Sequence, residues 1–334
     1  MLISWNTTRA CNLKCRHCYR DAGVKDKDEL STEEGKRLLQ DIKESGFKIV
    51  VLSGGEPLMR ADIYEIIQYA SQIGLRPVLG SNGTLITEEV AARLKDAGIA
   101  RVGISLDSII PEVHDGFRGV KGAFEKVISA IAAMKRVGLE FQVHTTVTKY
   151  NYEQIDTLID YVVSLGASAY HIFFLVPSGR GENETESLIS QEQYYCLIDH
   201  ILKRQKELDF EIKPVCAPQF VPISFKKGMN LRFQRGCLAG ISYCCVLPNG
   251  DVHPCPYLPI KLGNVRIQRF SVIWKENEIL SRLRSLNYRG RCGECKDKDI
   301  CGGCRARAYF SSGDYMGEDE YCSLFIPVLD KRDG

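Results

Sequence analysis

Short runs of β-branched and apolar residues alternate with longer amphipathic stretches up to about residue 207. This rhythm is typical of repeated strand and helix units on a parallel sheet. It predicts six strands, at 2–7, 47–53, 76–81, 101–107, 140–147 and 169–175. Six units are too few to close an eight-stranded barrel. We therefore expect an α/β fold with a partial (β/α)6 barrel of the TIM type and an open lateral cleft.

Capping residues mark the expected helix ends. Ser31 with Glu34 three residues on, and Thr87 before two glutamates, have the pattern of helix N-caps. Asn151 with Gln154 reads the same way, and Gly138 is expected to end the helix before it. Each of these positions falls between two predicted strands, as repeated βα units require.

Beyond about residue 208 the alternation stops and cysteines accumulate. We therefore predict two units, 1–207 and 208–334. Within the second, the stretch 243–257 reads as a hairpin around Pro248-Asn249-Gly250-Asp251, because Asn-Gly is a strong turn signal.

Composition narrows the classes of function. The chain has 44 Lys and Arg against 42 Asp and Glu, so no overall charge favours nucleic acid or an anionic membrane. No apolar stretch approaches 18 residues, and no export pattern is visible at the start. The 14 cysteines are grouped in metal-type spacings rather than spread as in a disulfide framework. We expect a cytoplasmic, reducing and anaerobic setting.

The first cysteine group carries the most specific chemistry. Cys11, Cys15 and Cys18 form a CxxxCxxC run. Three thiolates bind three irons of a cubane cluster and leave the fourth open, whereas zinc sites and simple electron carriers use four protein ligands. A zinc knuckle or a redox CxxC is the simpler alternative. An open iron favours a cluster that also binds a reactant.

With the strand before it and Tyr19 after it, this run resembles the radical S-adenosylmethionine (SAM) superfamily. The resemblance implies a [4Fe-4S] cluster whose open iron chelates the amine and carboxylate of SAM. One electron then cleaves SAM, and a 5′-deoxyadenosyl radical removes hydrogen from an unactivated carbon. It also implies a low-potential electron donor such as flavodoxin or ferredoxin.

Polar motifs follow the predicted strands, at the sheet edge where parallel α/β folds bind ligands. The motif after the second strand resembles the family's GGEP motif, which holds the SAM amine, although alone it is an ordinary turn. Polar residues at the next strands are expected to form a ribose-facing wall, and His144 either reaches SAM or is satisfied by neighbours. The SAM-binding candidates are Gly54, Gly55, Glu56, Pro57, Asn82, Ser105, Asp107 and His144.

Two further residues are candidates for catalysis. Arg180, in a glycine-flanked turn after the sixth strand, is suited to a bidentate contact with the carboxylate of SAM or of an acidic substrate. Cys216, between two prolines, either packs as a small apolar residue or reaches the substrate.

The cysteines of the second unit resemble the SPASM domain, a radical SAM appendage with two auxiliary [4Fe-4S] clusters. The resemblance assigns Cys237, Cys255, Cys304 and either Cys244 or Cys245 to one cluster, and Cys292, Cys295, Cys301 and Cys322 to the other. The family's fourth cysteine in the CxxCx5Cx3C run comes one residue later than Cys304 does here. A zinc ribbon is the alternative.

The segments 4–8, 18–23 and 177–181 look closest to the NirJ-like branch of haem d1 and siroheme-dependent haem biosynthesis. Members of that branch modify side chains of tetrapyrroles, by decarboxylation or removal of propionate or acetate groups. Basic residues in 226–235 and 282–307 would suit several carboxylates. A peptide or sulfatase maturase, forming thioether or formylglycine products, and a multi-cluster electron carrier are the alternatives.

Overall fold

The computed structural model describes residues 1–323. Its strands form one sheet in the order β10-β9-β8-β1-β2-β3-β4-β5-β6-β7, with parallel pairing from β8 through β1 to β7. The strands are β1 Leu2–Asn6, β2 Ile49–Ser53, β3 Arg76–Ser81, β4 Val102–Ser105, β5 Phe141–Val147, β6 Tyr170–Phe174, β7 Ile212–Val215, β8 Tyr243–Val246, β9 Asp251–His253 and β10 Gly263–Asn264.

Helices connect the parallel strands and cover the outer face of the sheet. They are α1 Thr32–Glu44, α2 Ile63–Gln72, α3 Glu88–Asp96, α4 Pro111–Arg118, α5 Ala123–Val137, α6 Ile155–Ser164, α7 Gln191–Leu208, α8 Phe220–Lys226, α9 Phe270–Glu276, α10 Glu278–Ser285, α11 Arg291–Glu294 and α12 Arg305–Ser312. Short 3-10 turns lie at Pro57–Met59, Tyr152–Gln154 and Gly179–Ser187. No described helix has the length and apolarity needed to span a bilayer.

The six predicted strands are confirmed, with ends that differ by at most two residues. A seventh parallel strand, β7, was missed. Its four residues include Lys213 and Pro214, and a charge and a proline both argue against a strand reading. The strand is recognised only from its parallel pairing with β6, at the end of the sheet.

The caps at Ser31 and Thr87 and the stop at Gly138 are confirmed. Ser31 and Glu34 form a capping box, the Thr87 side chain accepts from the Val90 amide, and Gly138 ends α5 with a left-handed backbone. Asn151 also stands at an N-cap position, that of the 3-10 turn Tyr152–Gln154 that leads into α6, but its side chain makes no capping hydrogen bond. Its oxygen accepts from the Thr148 amide instead, so the predicted capping contact is wrong.

The alternation along the strands separates two faces. On β5, β6 and β7 every second residue is buried against the helices, while the residues between them are only partly buried. A closed barrel fills its interior with branched apolar residues. Here the inner face keeps polar side chains next to accessible space, as an open barrel with a ligand cleft requires.

The second unit continues the sheet of the first. The predicted hairpin is confirmed as β8 and β9, which pair antiparallel around the Asn249-Gly250 turn. β8 also pairs parallel with β1, on the side opposite β2. One sheet therefore runs through both predicted units, and its seventh parallel strand lies beyond residue 207.

Candidate functional site

The CxxxCxxC loop follows β1 and packs against the GGEP turn that follows β2. The amides of Gly55 and Glu56 donate to the carbonyls of Thr8 and Ala10, both at 2.7 Å. A Cβ atom on Gly55 would lie 2.3 Å from the Ala10 carbonyl oxygen. The glycine is needed because the cysteine loop's own backbone approaches it, a reason that differs from the close ligand approach expected from sequence.

Glu56 is fully buried and joins this turn to the end of β3. Its carboxylate accepts from the Ser81 hydroxyl at 2.9 Å and from the Asn82 amide at 2.8 Å. Burial raises the pKa of Glu56 to about 7, against these hydrogen bonds. The first three strand ends are thus locked together around the cysteine loop.

Asn82 continues the contact toward the thiols. Its amide nitrogen donates to the Asn12 side chain at 2.9 Å and lies 4.0 Å from the Cys11 sulfur. Thr84 donates to its side-chain oxygen. The residue predicted to line a SAM site therefore also orients the loop that carries Cys11.

Asp107 was expected to face a ribose, but the structure turns it toward Arg118. Its buried carboxylate accepts from the Arg118 Nε at 2.6 Å and from the Thr146 amide at 2.9 Å. Burial alone would raise the pKa of Asp107, yet the Arg118 charge holds it below its ordinary value. The same guanidinium lies 3.8 Å from the sulfur of Cys15. Asp107 thus positions a cation beside the cysteine loop.

Ser105 and His144 lie side by side on the inner face, at paired positions of β4 and β5. The His144 ring stacks on His171 with centroids 5.4 Å apart, and its Nε2 is 2.6 Å from the Gln142 amide nitrogen. Burial lowers the pKa of His144 to about 3, so the ring is neutral at pH 7. The structure therefore gives His144 neighbouring partners, one of its two predicted roles.

Arg180 reaches back to the cysteine loop. It donates to the Cys15 carbonyl at 2.8 Å, to the Asp21 carboxylate at 2.9 Å and to the Ala22 carbonyl at 3.4 Å. The carboxylate that it contacts belongs to the chain itself. In this arrangement Arg180 holds the loop in place, and a catalytic role for it stays a prediction.

The thiols of the loop have the surroundings of metal ligands. The amides of Leu13 and Ala22 point at the sulfurs of Cys11 and Cys18, each at 3.4 Å. His17, between Cys15 and Cys18, stacks on Phe117 and has a buried Nδ1 without a partner among the described residues. Donors aimed at three thiols of one loop fit a cluster with three protein ligands.

Family models match two stretches of the chain. Residues 5–162 match the radical SAM superfamily, and residues 237–305 match SPASM, described as an iron-sulfur cluster-binding domain. An AdoMet-dependent heme synthase of Methanosarcina barkeri is 41% identical over 96% of this chain and 95% of its own length. The chain belongs to the radical SAM superfamily.

Two more comparisons extend this result. The Fe-coproporphyrin III synthase of Methanosarcina barkeri is 33% identical over 97% of this radical SAM chain and 88% of its own length. The crystal structure of Streptococcus suis SuiB bound to S-adenosylmethionine has a TM-score of 0.78 at 18% identity, over 97% of this chain and 77% of that one. The second likeness supports the fold. The chain is a radical SAM enzyme with a SPASM domain, and these domains imply [4Fe-4S] clusters and SAM as cofactors.

Four thiols of the SPASM region line one space. Cys292, Cys295, Cys301 and Cys322 surround a volume of about 290 Å³, which includes space open to solvent, together with Gln219 and Lys298. The Cys292 sulfur accepts from the Arg305 guanidinium and the Asp319 amide, both at 3.4 Å. The four thiols that the sequence assigned to one auxiliary cluster are thus brought together.

A second group of SPASM thiols forms around Cys304. Cys255 and Cys216 pack against it, and the hydrogen bond to the Cys304 thiol, with burial, raises the pKa of Cys216. Burial also raises the pKa of Cys237, and the charge of nearby Cys304 adds to this rise. Among residues 1–323, no three His, Cys, Asp or Glu side chains are arranged to hold a metal ion. The ligands of a [4Fe-4S] cluster each bind a separate iron.

Sheet register separates the two adjacent cysteines of β8. Cys244 pairs with Ile3 and belongs to the apolar core, whereas Cys245 pairs with Ser4 on the opposite face. Successive strand residues point to opposite faces. Burial raises the pKa of Cys255, and the charges of Cys237, Cys304 and Cys245 raise it further. Cys245 is therefore the one of the pair that lies on the side of the thiol group.

Buried arginines hold this radical SAM chain together near its thiols, and no pattern in the sequence predicted this role for them. Arg307 forms an ion pair with Asp319, at 2.6 and 2.8 Å, and both side chains are buried. Asp319 also accepts from the Cys304 amide at 2.8 Å. In sequence, Arg118 reads as an ordinary cation at a helix C-terminus and Arg307 as part of a basic surface. Only the fold places them beside cysteines.

A cavity opens between the two cysteine regions of the enzyme. It has a volume of about 500 Å³, including space open to solvent. Its walls come from the loop after β6, the segment after β9 and α12, and the lining residues are Pro177, Ser178, Glu182, Tyr257, Pro259, Ala306, Tyr309 and Phe310. The Tyr257 ring contacts that of Tyr19, the neighbour of Cys18, with centroids 5.1 Å apart and ring planes tilted by 55°. Tyr257 also packs against the cluster around Cys304, so this wall of the cavity touches the surroundings of both cysteine groups.

Proposed function

We propose that this radical SAM enzyme modifies propionate or acetate side chains of an iron tetrapyrrole, by decarboxylation or removal, in haem or haem d1 biosynthesis. The observation that carries the proposal is the 41% identity to a heme synthase over 95% of that relative's length. A second relative, named for iron coproporphyrin III, is 33% identical over 97% of this chain and 88% of its own length.

Cys11, Cys15 and Cys18 are the proposed ligands of the SAM-binding cluster. When bound, this cluster supplies the electron that cleaves SAM and yields the 5′-deoxyadenosyl radical. The chain's own residues fix the geometry of the loop. Arg118 contacts the Cys15 sulfur, Arg180 donates to the Cys15 carbonyl, and Asn82 contacts the Cys11 sulfur. Gly54, Gly55, Glu56, Pro57 and Ser105 are proposed to face SAM from the strand ends.

The SPASM region is proposed to hold two auxiliary clusters, which makes three in total. The first takes Cys237, Cys245, Cys255 and Cys304. The second takes Cys292, Cys295, Cys301 and Cys322, which line one space. Residues 1–207 and 208–334 are the proposed units, joined by the continuous sheet. A flavodoxin or a ferredoxin is the proposed electron donor.

The cavity between the two cysteine regions is the proposed substrate pocket. Tyr257, Tyr309 and Phe310 give it aromatic walls, which suit the flat face of a macrocycle. SAM bound at the cluster would supply a radical that removes a hydrogen atom from the carbon β to the carboxylate. On the substrate, the bond to the carboxylate would then break, carbon dioxide would leave and a vinyl group would form. The remaining electron would pass to an auxiliary cluster held by the SPASM cysteines.

Anaerobic turnover tests this function. The reduced enzyme is incubated with SAM and iron coproporphyrin III, or with siroheme-derived porphyrins, and the products are analysed by mass spectrometry. We expect loss of carbon dioxide and two hydrogens per modified propionate, with 5′-deoxyadenosine formed in step. Unchanged tetrapyrroles, together with modification of a peptide substrate, would reverse the assignment in favour of a maturase. Intact SAM after reduction would favour an electron carrier.

A further inference from the structure

The basic residues that the sequence offered for substrate carboxylates are mostly engaged within the chain. Arg289 pairs with Asp314, Arg291 with Glu318 and Arg307 with Asp319. Lys227 pairs with Asp199, and Arg235 donates to the Cys237 carbonyl. A substrate rich in carboxylates needs cations that are still available. A cation of this kind lies on the inner face of the barrel.

One polar layer crosses that face. Ser105, His144, His171 and Lys213 occupy paired positions on β4, β5, β6 and β7. All four are partly buried, while their strand neighbours Ile104, Val143, Ile172 and Ile212 belong to the apolar core. Paired residues on parallel strands point to the same side. The layer therefore faces the cleft rather than the helices.

Below this layer the polar groups are paired with one another. Gln142 contacts His171 at 3.3 Å, His171 contacts Glu211 at 3.3 Å, and Arg232 reaches the other Glu211 oxygen at 3.3 Å. Burial lowers the pKa of His171 and of His144, which makes both rings neutral hydrogen-bonding groups. The carboxylate of this region is therefore committed to His171 and Arg232.

Lys213 is the residue of this layer that carries a charge and, among residues 1–323, forms no ion pair. Its ammonium lies 3.8 Å from the centre of the Phe233 ring, and within residues 1–323 it has no carboxylate within 4.0 Å. Burial lowers the pKa of Lys213 to about 8, so it remains mostly charged at pH 7. The charge of Glu211 acts on Lys213 from beyond ion-pair distance. A partly buried ammonium with an aromatic neighbour and no carboxylate in direct contact can accept an anion from the substrate.

The position of Lys213 relates this cation to the proposed substrate pocket. Val215 lies one layer higher on β7, about 7 Å along the strand, and Cys216 follows it. Cys216 and Tyr257 both pack against the same small cluster around Cys304, and Tyr257 lines the cavity. The lysine thus stands on the strand that runs up to the cavity wall.

We propose that Lys213, with His171 on the neighbouring strand and His144 on the strand after that, binds a carboxylate side chain of the substrate and so fixes the macrocycle in the cleft. This inference rests on the proposed function, because it takes the substrate to be a tetrapyrrole carrying carboxylates. A charge-assisted contact of this kind also makes the enzyme prefer free acids over esters.

Binding titrations with two probes test the role of Lys213. Iron coproporphyrin III and its tetramethyl ester are titrated anaerobically into the reconstituted enzyme and followed by absorbance. We expect Lys213→Met to weaken binding of the free acid by about ten- to a hundredfold and to leave ester binding unchanged. Lys213→Arg should restore most of the affinity, and Lys206→Met, at an exposed lysine of α7, should match the wild type.

Each failure points to a different conclusion. Free-acid binding by Lys213→Met that equals the wild type would overturn the inference alone, and so would equal weakening of acid and ester. Wild-type enzyme that neither binds nor converts any tetrapyrrole would remove the proposed function, and the inference with it. Substrate-free formation of 5′-deoxyadenosine by each variant shows that the fold and the SAM site are intact.

Discussion

The two cysteine regions are held by different physical means. Around the N-terminal loop, the buried carboxylate Glu56 is bonded by a hydroxyl and by backbone amides, and burial raises its pKa to about 7. In the SPASM region, burial would likewise raise the pKa of the carboxylate Asp319, but Arg307 lowers it to about 2. The N-terminal region has an ordered sheet edge in addition to the buried Asp107–Arg118 ion pair, whereas the SPASM region, with few strands, depends more heavily on the buried Arg307–Asp319 pair.

The difference arises because the N-terminal region contains many paired strands and the SPASM region contains few. Parallel strand ends bring the GGEP turn, Asn82 and the cysteine loop together by pairing alone. The segment 286–323 contains only the short helices α11 and α12. A region with few β-strand hydrogen bonds must fix its thiols by other contacts. Small metal-binding regions do so through side chains and the metal itself.

The largest effect separates the two regions by function. Cys15→Ala should abolish 5′-deoxyadenosine formation and lower the iron content from about twelve to about eight atoms per chain, because one cluster loses a ligand. Cys295→Ala should lose a similar amount of iron yet still cleave SAM. Iron, acid-labile sulfide and nucleoside assays measure both. Loss of SAM cleavage in Cys295→Ala would mean that the regions are not independent.

Removing one partner of each buried ion pair tests the second difference. Asp319→Asn leaves Arg307 charged and unpaired, and we expect a loss of about 3–5 kcal/mol of unfolding free energy. Asp107→Asn leaves Arg118 in the same state and should cost a comparable amount. Anaerobic urea denaturation followed by circular dichroism measures both. If Asp107→Asn alone proved mild, the N-terminal loop would depend on the sheet edge only.

Adding a side chain at Gly55 tests how tightly the GGEP turn packs against the cysteine loop. Gly55→Ala places a Cβ atom 2.3 Å from the Ala10 carbonyl oxygen, which forces the cysteine loop away. We expect a loss of about 1–3 kcal/mol and weaker SAM binding. Gly116→Ala is the control, because nothing lies within 4 Å of a Cβ there, and a helix should gain up to about 1 kcal/mol from it. Equal effects of the two changes would contradict this packing.

The two carboxylates should also respond oppositely to pH. Glu56 has a pKa of about 7 in the folded enzyme, above its ordinary value of 4.5, so its contribution to stability is lost as the pH rises through 7. Asp319 contributes above its ordinary value and loses this only as the pH falls toward 2. Between pH 5 and 8, the difference in unfolding free energy between wild type and Glu56→Gln should therefore shrink with rising pH. A difference in unfolding free energy that stays constant over this pH range would contradict the raised pKa of Glu56.

The smallest effect concerns the contact between the regions. Arg266 forms a bidentate pair with Glu34 on α1, at 2.6 and 2.9 Å, and also donates to the Glu29 carbonyl. Glu34→Gln should cost about 1 kcal/mol, since the pair is partly exposed. Glu33→Gln, one residue away and without this partner, is the matched control. The urea midpoints of the two variants measure the difference.

Local signals predicted a large part of this enzyme. The strand patterns, the Ser31 and Thr87 caps, the Gly138 stop and the Asn-Gly hairpin each depend on neighbouring residues, so the sequence was sufficient. The cysteine spacings predicted the family because ligands of one loop are close in sequence. The capping contact predicted for Asn151 was wrong, because an Asn side chain can either cap a helix or accept a hydrogen bond from the end of a strand.

The remaining features could not be predicted, because they depend on contacts between residues that are far apart in the sequence. Arg118 reaches Cys15 across 103 residues, and Arg307 reaches the Cys216 carbonyl across 91, contacts that no local pattern encodes. The choice between Cys244 and Cys245 depends on which strand face points inward, and this is fixed only when β8 pairs with β1.

The sequence by itself thus determined six of the barrel strands, the thiol spacings and the radical SAM chemistry they imply, because hydrophobic period and ligand spacing act over a few residues. The tertiary structure alone decided which charges are paired, which cysteine of a pair leaves the core, and that Lys213 remains available on the inner face. Those outcomes depend on long-range pairing, where burial sets whether a charge finds a partner.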